Sequence, residues 1–241
     1  MRQIQADLRY DNLLVVPCVQ RAGGLAMLWK NEANLDIQTY SLNHIDARIM
    51  IDPHSPWRLM GFYGRPKEQC KHESWGFLKH LHSRDKVPWV CIGDYNEILS
   101  SSEKQGRRPR HPRFMEEFQS ALLHCGLVDI GYQGNTFTWR NGRQGEAFVQ
   151  ERLDRACATI EWRKLFPQAI VRRLQASYSD HDPILLILQR DTQNGRRKKI
   201  PKRCEERWAT HLECESIIRE AWSRVSYSSS PMFRLFSKIR E

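Results

Sequence analysis

Up to residue 188 the chain alternates short β-type runs with turn residues, and this pattern limits its possible folds more than any other feature. The runs are Leu13 to Val16, Leu25 to Trp29, Leu35 to Tyr40, Ile45 to Ile51, Trp57 to Tyr63, Val90 to Ile92, Thr136 to Trp139 and Ile184 to Leu188. Two helical patterns interrupt them. One covers Lys71 to Ser83 with Trp75 and Leu78 inward; the other covers Pro112 to Cys125, with Phe114, Phe118, Ala121, Leu122 and Cys125 on one face. Sheets built from so many strands have two apolar faces and cannot cover both alone, so the pattern predicts an α+β sandwich.

The composition changes after Leu188. Residues 189–204 hold Arg190, Arg196, Arg197, Lys198, Lys199, Lys202 and Arg203 against the single acid Asp191, with no apolar periodicity, which predicts a basic linker. Residues 205–241 carry Trp208, Leu212, Ile217, Ile218 and Trp222, then a break at Ser226 to Ser230, and predict a helical connector whose late aromatics form a packing face. The expected organisation is therefore a domain over 1–188, a linker over 189–204 and a helical piece over 205–241.

The 241 residues include 38 Lys plus Arg against 28 Asp plus Glu, a formal charge of +10 that would attract a polyanion through its phosphates. A charged, soluble surface explains that surplus equally well. The seven cysteines are odd in number and none lie close enough to spell a zinc knuckle or a redox pair, so Cys91 and Cys157, inside apolar runs, are expected as buried hydrophobes. The first residues lack the apolar core of a signal peptide, and the run Ile184 to Leu188 is too short to span a bilayer. The expectation is a soluble, monomeric protein of the nucleus or cytoplasm, not secreted and not in a membrane.

Carboxylates gather in three short segments. Trp89 to Glu97 ends a buried-type strand at Gly93 and then presents Asp94 and Asn96, which would point the same way if the chain stayed extended. Such a pair can orient a water and hold a phosphate oxygen, although a Gly-Asp-x-Asn string also spells an ordinary turn. Glu151 to Arg155 sets Asp154 in a short strand, and Ser179-Asp180-His181-Asp182-Pro183 precedes the strand Ile184 to Leu188. Several strand-edge carboxylates and one histidine are what a divalent metal and an in-line attack on phosphorus require.

The ordered set Gly61-Phe62-Tyr63-Gly64, Gly93-Asp94-Tyr95-Asn96, Thr136-Phe137-Thr138-Trp139, Arg152-Leu153-Asp154 and Ser179-Asp180-His181 resembles the endonuclease/exonuclease/phosphatase superfamily, which includes deoxyribonuclease I. The wording of Gly23 to Trp29, His72 to Trp75, Asn96 to Leu99 and Glu151 to Arg155 is similar to the endonuclease region of plant non-LTR retrotransposons of the long-interspersed-element type. The resemblance covers about residues 10 to 188. It implies a four-layer α/β/β/α sandwich of the DNase I-like kind, Mg²⁺ or Mn²⁺ as cofactor, DNA as partner, and a reverse transcriptase following in longer relatives.

Carried over residue by residue, the resemblance implies that Asp94 aligns or deprotonates the attacking water while Asn96 holds it and a phosphate oxygen. Asp154 would orient His181, His181 would stabilise charge on the phosphate, Asp180 would help hold the metal, and Tyr63 would contact phosphate. Thr136 and Ser179 fall where these nucleases keep polar groups near the scissile bond, and the basic cluster Arg107, Arg108, Arg110 and Arg113 would meet the DNA backbone. Taken singly, Tyr63 is also a rim aromatic, Thr136 a plain β-former and the arginines a solvated loop.

One departure is clear. The family's Trp-Asn-x-Arg-Gly string and its Gln-Glu-Thr string, which carries a principal metal-binding Glu, have no match, and Glu32 and Glu97 stand in the wrong context to replace that Glu. The resemblance thus implies a domain lacking its first strands and helix, with weak or absent activity. A non-enzymatic nucleic-acid binder and a small-molecule phosphatase of the same superfamily are the alternatives.

Overall fold

The computed structural model describes residues 1–19, 22–50, 56–106, 108–176 and 178–188, together with 215, 216, 219 and 220. Its strands are β1 Asn12–Val19, β2 Ala22–Trp29, β3 Leu35–Ser41, β4 His44–Met50, β5 Pro56–Tyr63, β6 Trp89–Asp94, β7 Lys104–Gln105, β8 Val128–Asp129, β9 Trp139–Arg140, β10 Gln150–Glu151, β11 Asp154–Ala158, β12 Ile170–Arg173 and β13 Ile184–Ile187. Its helices are α1 Arg2–Asp7, α2 Lys71–Arg84, α3 Pro112–His124 and α4 Ile160–Leu165.

Six strands form the principal sheet in the order β3-β4-β5-β6-β11-β8. Every neighbouring pair is antiparallel except β5 and β6, which run parallel because α2 carries the chain back across the sheet between them. Alternation along β6 buries both faces. Trp89 and Cys91 join Met60, Phe62 and Cys157 against Trp75, Leu78 and Leu81 of α2 and Phe118, Ala121 and Leu122 of α3, with the Trp75 and Phe118 rings stacked 4.5 Å apart. Val90 points the other way and joins Trp57 and Ala158 against Trp162 and Phe166, with Leu186 of β13 packed on the cluster. The smaller units are the β1–β2 ribbon, the β7-β10-β9 sheet and the β12–β13 pair. This is the α+β sandwich that the strand pattern demands.

Local departures from the expected elements have local causes. The run Thr136 to Trp139 is a strand only from Trp139, since the Asn135 side chain accepts the Phe137 N–H and bends the chain there. The segment Glu151 to Arg155 is two strands, interrupted where Arg152 turns into a buried ion-pair network. On α3, Met115 is buried and Phe114 only half-buried.

Residues 1–194 and 195–241 form two units. In the second, Glu215, Ser216, Arg219 and Glu220 are helical, and Arg219 reaches Glu215 at 2.7 Å. The expected linker 189–204 and the rest of 205–241 lie outside the described residues. Among the described residues, no helix is long and apolar enough to cross a membrane.

Candidate active site

Three neighbouring strands bring their functional residues together at one end of the principal sheet, in its interior and not on an outer strand. Tyr63 closes β5, Asp94 closes the parallel β6, and Asp154 opens the antiparallel β11; in register Tyr63 and Asp154 both pair with Asp94. Two glycines allow the close passage of chains there. A Cβ on Gly93, at φ +149°, would lie 2.0 Å from the Phe62 carbonyl oxygen, and one on Gly64 would lie 2.2 Å from that of Tyr95. His181 arrives from the loop before β13, fixed by a bridge to Trp139.

The extended geometry expected for Asp94 to Asn96 is not found. Asn96 is left-handed at φ 54°, its N–H donates to Asp94 Oδ1 at 2.8 Å, and its side-chain amide donates to Asp94 Oδ2 at 3.0 Å and to the Gly64 carbonyl at 2.8 Å. An Asx turn, not strand alternation, puts these two side chains together, and Asn is the residue type that tolerates that backbone.

His181 Nδ1 lies 2.9 Å from Asp154 Oδ2, which makes Nδ1 the protonated nitrogen, and Nε2 lies 4.0 Å from Asp94 Oδ2. Burial disfavours the charged ring, but the hydrogen bond and charge of Asp154, with the charges of Asp94 and Asp180, outweigh it and raise the imidazole pKa. Burial and the nearby Asp154 push the Asp94 carboxyl up to about 6, against the pull of His181 and of the Asn96 N–H. Burial and the Asp94 charge raise the Tyr63 phenol, opposed by its hydrogen bond with Asn96.

Ligand atoms of Asp94, Asp154 and His181 all lie within 4.8 Å of one another. Two carboxylates are hard oxygen donors of the kind Mg²⁺ takes while keeping several waters, so this group fits such an ion. Asp180, expected as the metal ligand, is not in the group; it is exposed, and its carboxylate accepts the indole N–H of Trp139 at 2.9 Å. Glu97 is fully buried between Lys71 and Arg110, and Glu32 is exposed in the 3-10 turn Asn31–Ala33.

The remaining expected residues are dispersed. Ser179 accepts the His181 N–H at 3.1 Å, whereas the Thr136 hydroxyl pairs with Tyr132 at 2.7 Å. Arg110, expected on the DNA backbone, is instead locked to Glu97 at 3.1 Å and Glu151 at 2.6 Å. Arg108 is exposed, and Arg107 lies outside the described residues.

Thr138, which sequence reasoning passes over for Thr136, is the buried hub of the site. Its hydroxyl accepts the N–H groups of Leu153 at 3.0 Å and Asp154 at 2.9 Å, and its carbonyl accepts that of Asp182 at 2.7 Å, so it ties the Asp154 strand to the His181 loop. Alternation sets Thr136 and Thr138 on one side of an extended chain and does not separate them. Lys71 escapes sequence reasoning too, although a lysine opening a helix is itself a signal. It lines, with Asn96, Arg110, Trp139, Glu151 and His181, a cleft of about 350 Å³ beside the cluster.

No family model and no curated protein matches the chain. Solved structures do. The endonuclease domain of TRAS1, a telomere-specific non-LTR retrotransposon, is similar at a TM-score of 0.54 and 16% identity, covering 75% of this chain and 81% of that one. The 3′ phosphatase NExo from Neisseria, bound to a product DNA hairpin, reaches 0.54 at 17% identity over 76% and 82% of the two chains. Beta toxin from Staphylococcus aureus reaches 0.53 at 13% identity over 78% and 82%. At such identities the likeness is one of fold.

Proposed function

Since the chain has the DNase I-like fold of the endonuclease/exonuclease/phosphatase proteins, we propose that it is a metal-dependent phosphodiesterase acting on DNA, of the retrotransposon endonuclease type. One observation carries the reading: Asp94, Asp154 and His181, from segments up to 87 positions apart (181 minus 94), meet with the imidazole hydrogen-bonded to a carboxylate at 2.9 Å. NExo holds a DNA hairpin and the TRAS1 domain is an endonuclease, and both favour DNA as the substrate.

Asp94, whose carboxyl burial and the Asp154 charge push up, accepts the proton of the attacking water. Asn96 holds that carboxylate in one orientation. Asp154 aims His181 and favours its charged form against burial, so Nε2 donates to a phosphate oxygen as negative charge builds on it. Tyr63, beside Asp94 in the sheet, offers its hydroxyl to the same phosphate. Mg²⁺ or Mn²⁺ would be held by Asp94 and Asp154, supplying Lewis-acid charge at the phosphoryl oxygens. With no glutamate in the described cluster, such an ion would be held weakly and hydrolysis would be slow.

The test is plasmid nicking. Nicking should require millimolar Mg²⁺, stop with chelator, and fall roughly 10²- to 10⁴-fold in Asp94→Ala and His181→Ala variants that still fold. Nicking untouched by either substitution overturns the reading. Salt-sensitive DNA binding that needs no metal and produces no nicks favours a nucleic-acid-binding remnant, for which the +10 charge speaks.

A further inference from the structure

Lys71 breaks two rules at once. It is the first residue of α2, where the helix dipole disfavours a cation, and its side chain is only 2% exposed. Burial pushes the ammonium pKa down, against the pull of Glu97. Local rules of this kind are broken where a site needs them broken.

Neutralising Glu97 does not account for Lys71. Glu97 already has Arg110 Nε at 3.1 Å, and Glu151 has both Lys104 and Arg110, so each buried carboxylate of the network keeps a cation without Lys71. What Lys71 alone supplies is a hydrogen bond from Nζ to the Asn96 carbonyl at 2.5 Å, alongside the 2.6 Å contact to Glu97. Asn96 is the residue in the left-handed conformation, and its two donations to Asp94 depend on that backbone. A charge-assisted bond to its carbonyl fixes the peptide plane that follows it.

We propose that Lys71 is a positioning residue for the phosphodiester hydrolysis assigned above: it anchors the Asn96 turn from below and so keeps the Asp94 carboxylate aimed. It acts through Asn96 and not on the substrate. The proposal deepens the nuclease reading and rests on it for its catalytic half; its structural half stands separately.

The experiment compares the full chain with Lys71→Met, in which Glu97 keeps Arg110, and with Lys71→Arg. Two quantities are read, nicking kinetics and hydrogen exchange of the Asn96 amide. In Lys71→Met, kcat should fall roughly 10- to 100-fold, the range for losing one charged hydrogen bond, with KM within about threefold. Asn96 amide protection should fall at least about tenfold while β5 and β6 amides keep theirs, and Lys71→Arg should recover part of both losses. In an Asn96→Ala background, Lys71→Met should cost little further activity, since the two act as a unit. Unchanged Asn96 protection overturns the proposal whatever the activity, as does full additivity of the two substitutions. A wild-type chain that nicks no DNA sinks the nuclease reading instead, and the exchange measurement still decides whether Lys71 holds the turn.

Discussion

Two buried networks of opposite charges grip the segment that follows Asp94, and they differ in what else they touch. Glu103, Asp129, Arg152 and Arg155 are sealed in the core: Arg155 is fully buried and reaches Glu103 at 2.8 Å and Asp129 at 2.9 Å, and Arg152 reaches the same two carboxylates at 2.8 Å each. Lys71, Arg110, Glu151 and Lys104 line the cleft beside Asn96 and His181, while Glu97, fully buried, pairs with Lys71 and Arg110. The first is balanced two against two and holds its carboxyls below their usual range through the arginines, which overcome burial. The second also reaches the exposed Glu68, 3.7 Å from Arg110, and borders the cleft. A network confined to the core fixes the loop between β6 and α3; one that borders the cleft tunes what that loop presents.

The largest expected effect breaks the sealed network. Arg155→Met leaves Glu103 and Asp129 with Arg152 alone, and removing one partner of a buried ion pair costs about 3–5 kcal/mol. Urea unfolding should show that loss. Because the Arg155 guanidinium bonds to Glu103, Asp129 and the carbonyls of Glu97 and Arg152 and not to the side chains of Asp94, Asp154 or His181, the pH profile of the folded variant's nicking should keep its shape; a profile that moves would merge the two networks into one.

The second effect is a difference in sign. Glu103 and Asp129 have depressed pKa values, so their contribution is present above the ordinary carboxyl range and is lost as pH falls through the folded values. Asp94 does the reverse. Raised from 3.8 to about 6, it binds its proton more tightly folded than unfolded, so its contribution is full below 3.8 and fades as pH rises to about 6. That shift corresponds to about 3 kcal/mol at 1.36 kcal/mol per unit, for a side chain 14% exposed. In metal-free solution, subtracting the stability curve of Asp94→Asn from that of the parent should leave this falling limb. A flat difference between pH 4 and 6.5 would mean that Asp94 is not desolvated beside Asp154.

The sheet was legible in the sequence because its strands are long and apolar on alternating faces; Trp57 to Tyr63 and Trp89 to Asp94 show the pattern without help from distant residues. The two-residue strands were not. Lys104 and Glu151 pair across 47 positions and carry no local periodicity of their own. Asp94, Asp154 and His181 were legible as strand-edge groups, but their geometry was not: Asn96 reaches Asp94 through a positive φ that an alternation argument cannot foresee. Arg110 looked like part of a basic cluster because its partners, Glu97 and Glu151, lie 13 and 41 positions away (110 minus 97, 151 minus 110). A charge in sequence is a surface group only until the fold supplies its counter-charge.

The smallest effect separates two arginines that the sequence treats alike. Arg108 is exposed, whereas Arg110, two positions on, spends its guanidinium on buried carboxylates. A phosphate-contacting cation adds about one unit to the salt slope of DNA binding and little else. Arg108→Ala should therefore weaken binding by a few-fold at low salt and reduce the slope by about one, with stability unchanged within about 0.5 kcal/mol. Arg110→Leu should do the opposite, lowering the urea midpoint while leaving the slope in place, because its charge is already neutralised inside the protein. Binding isotherms at several salt concentrations, set beside unfolding curves of both variants, decide the matter. A slope that falls in Arg110→Leu and not in Arg108→Ala would place the DNA backbone against the cleft network itself.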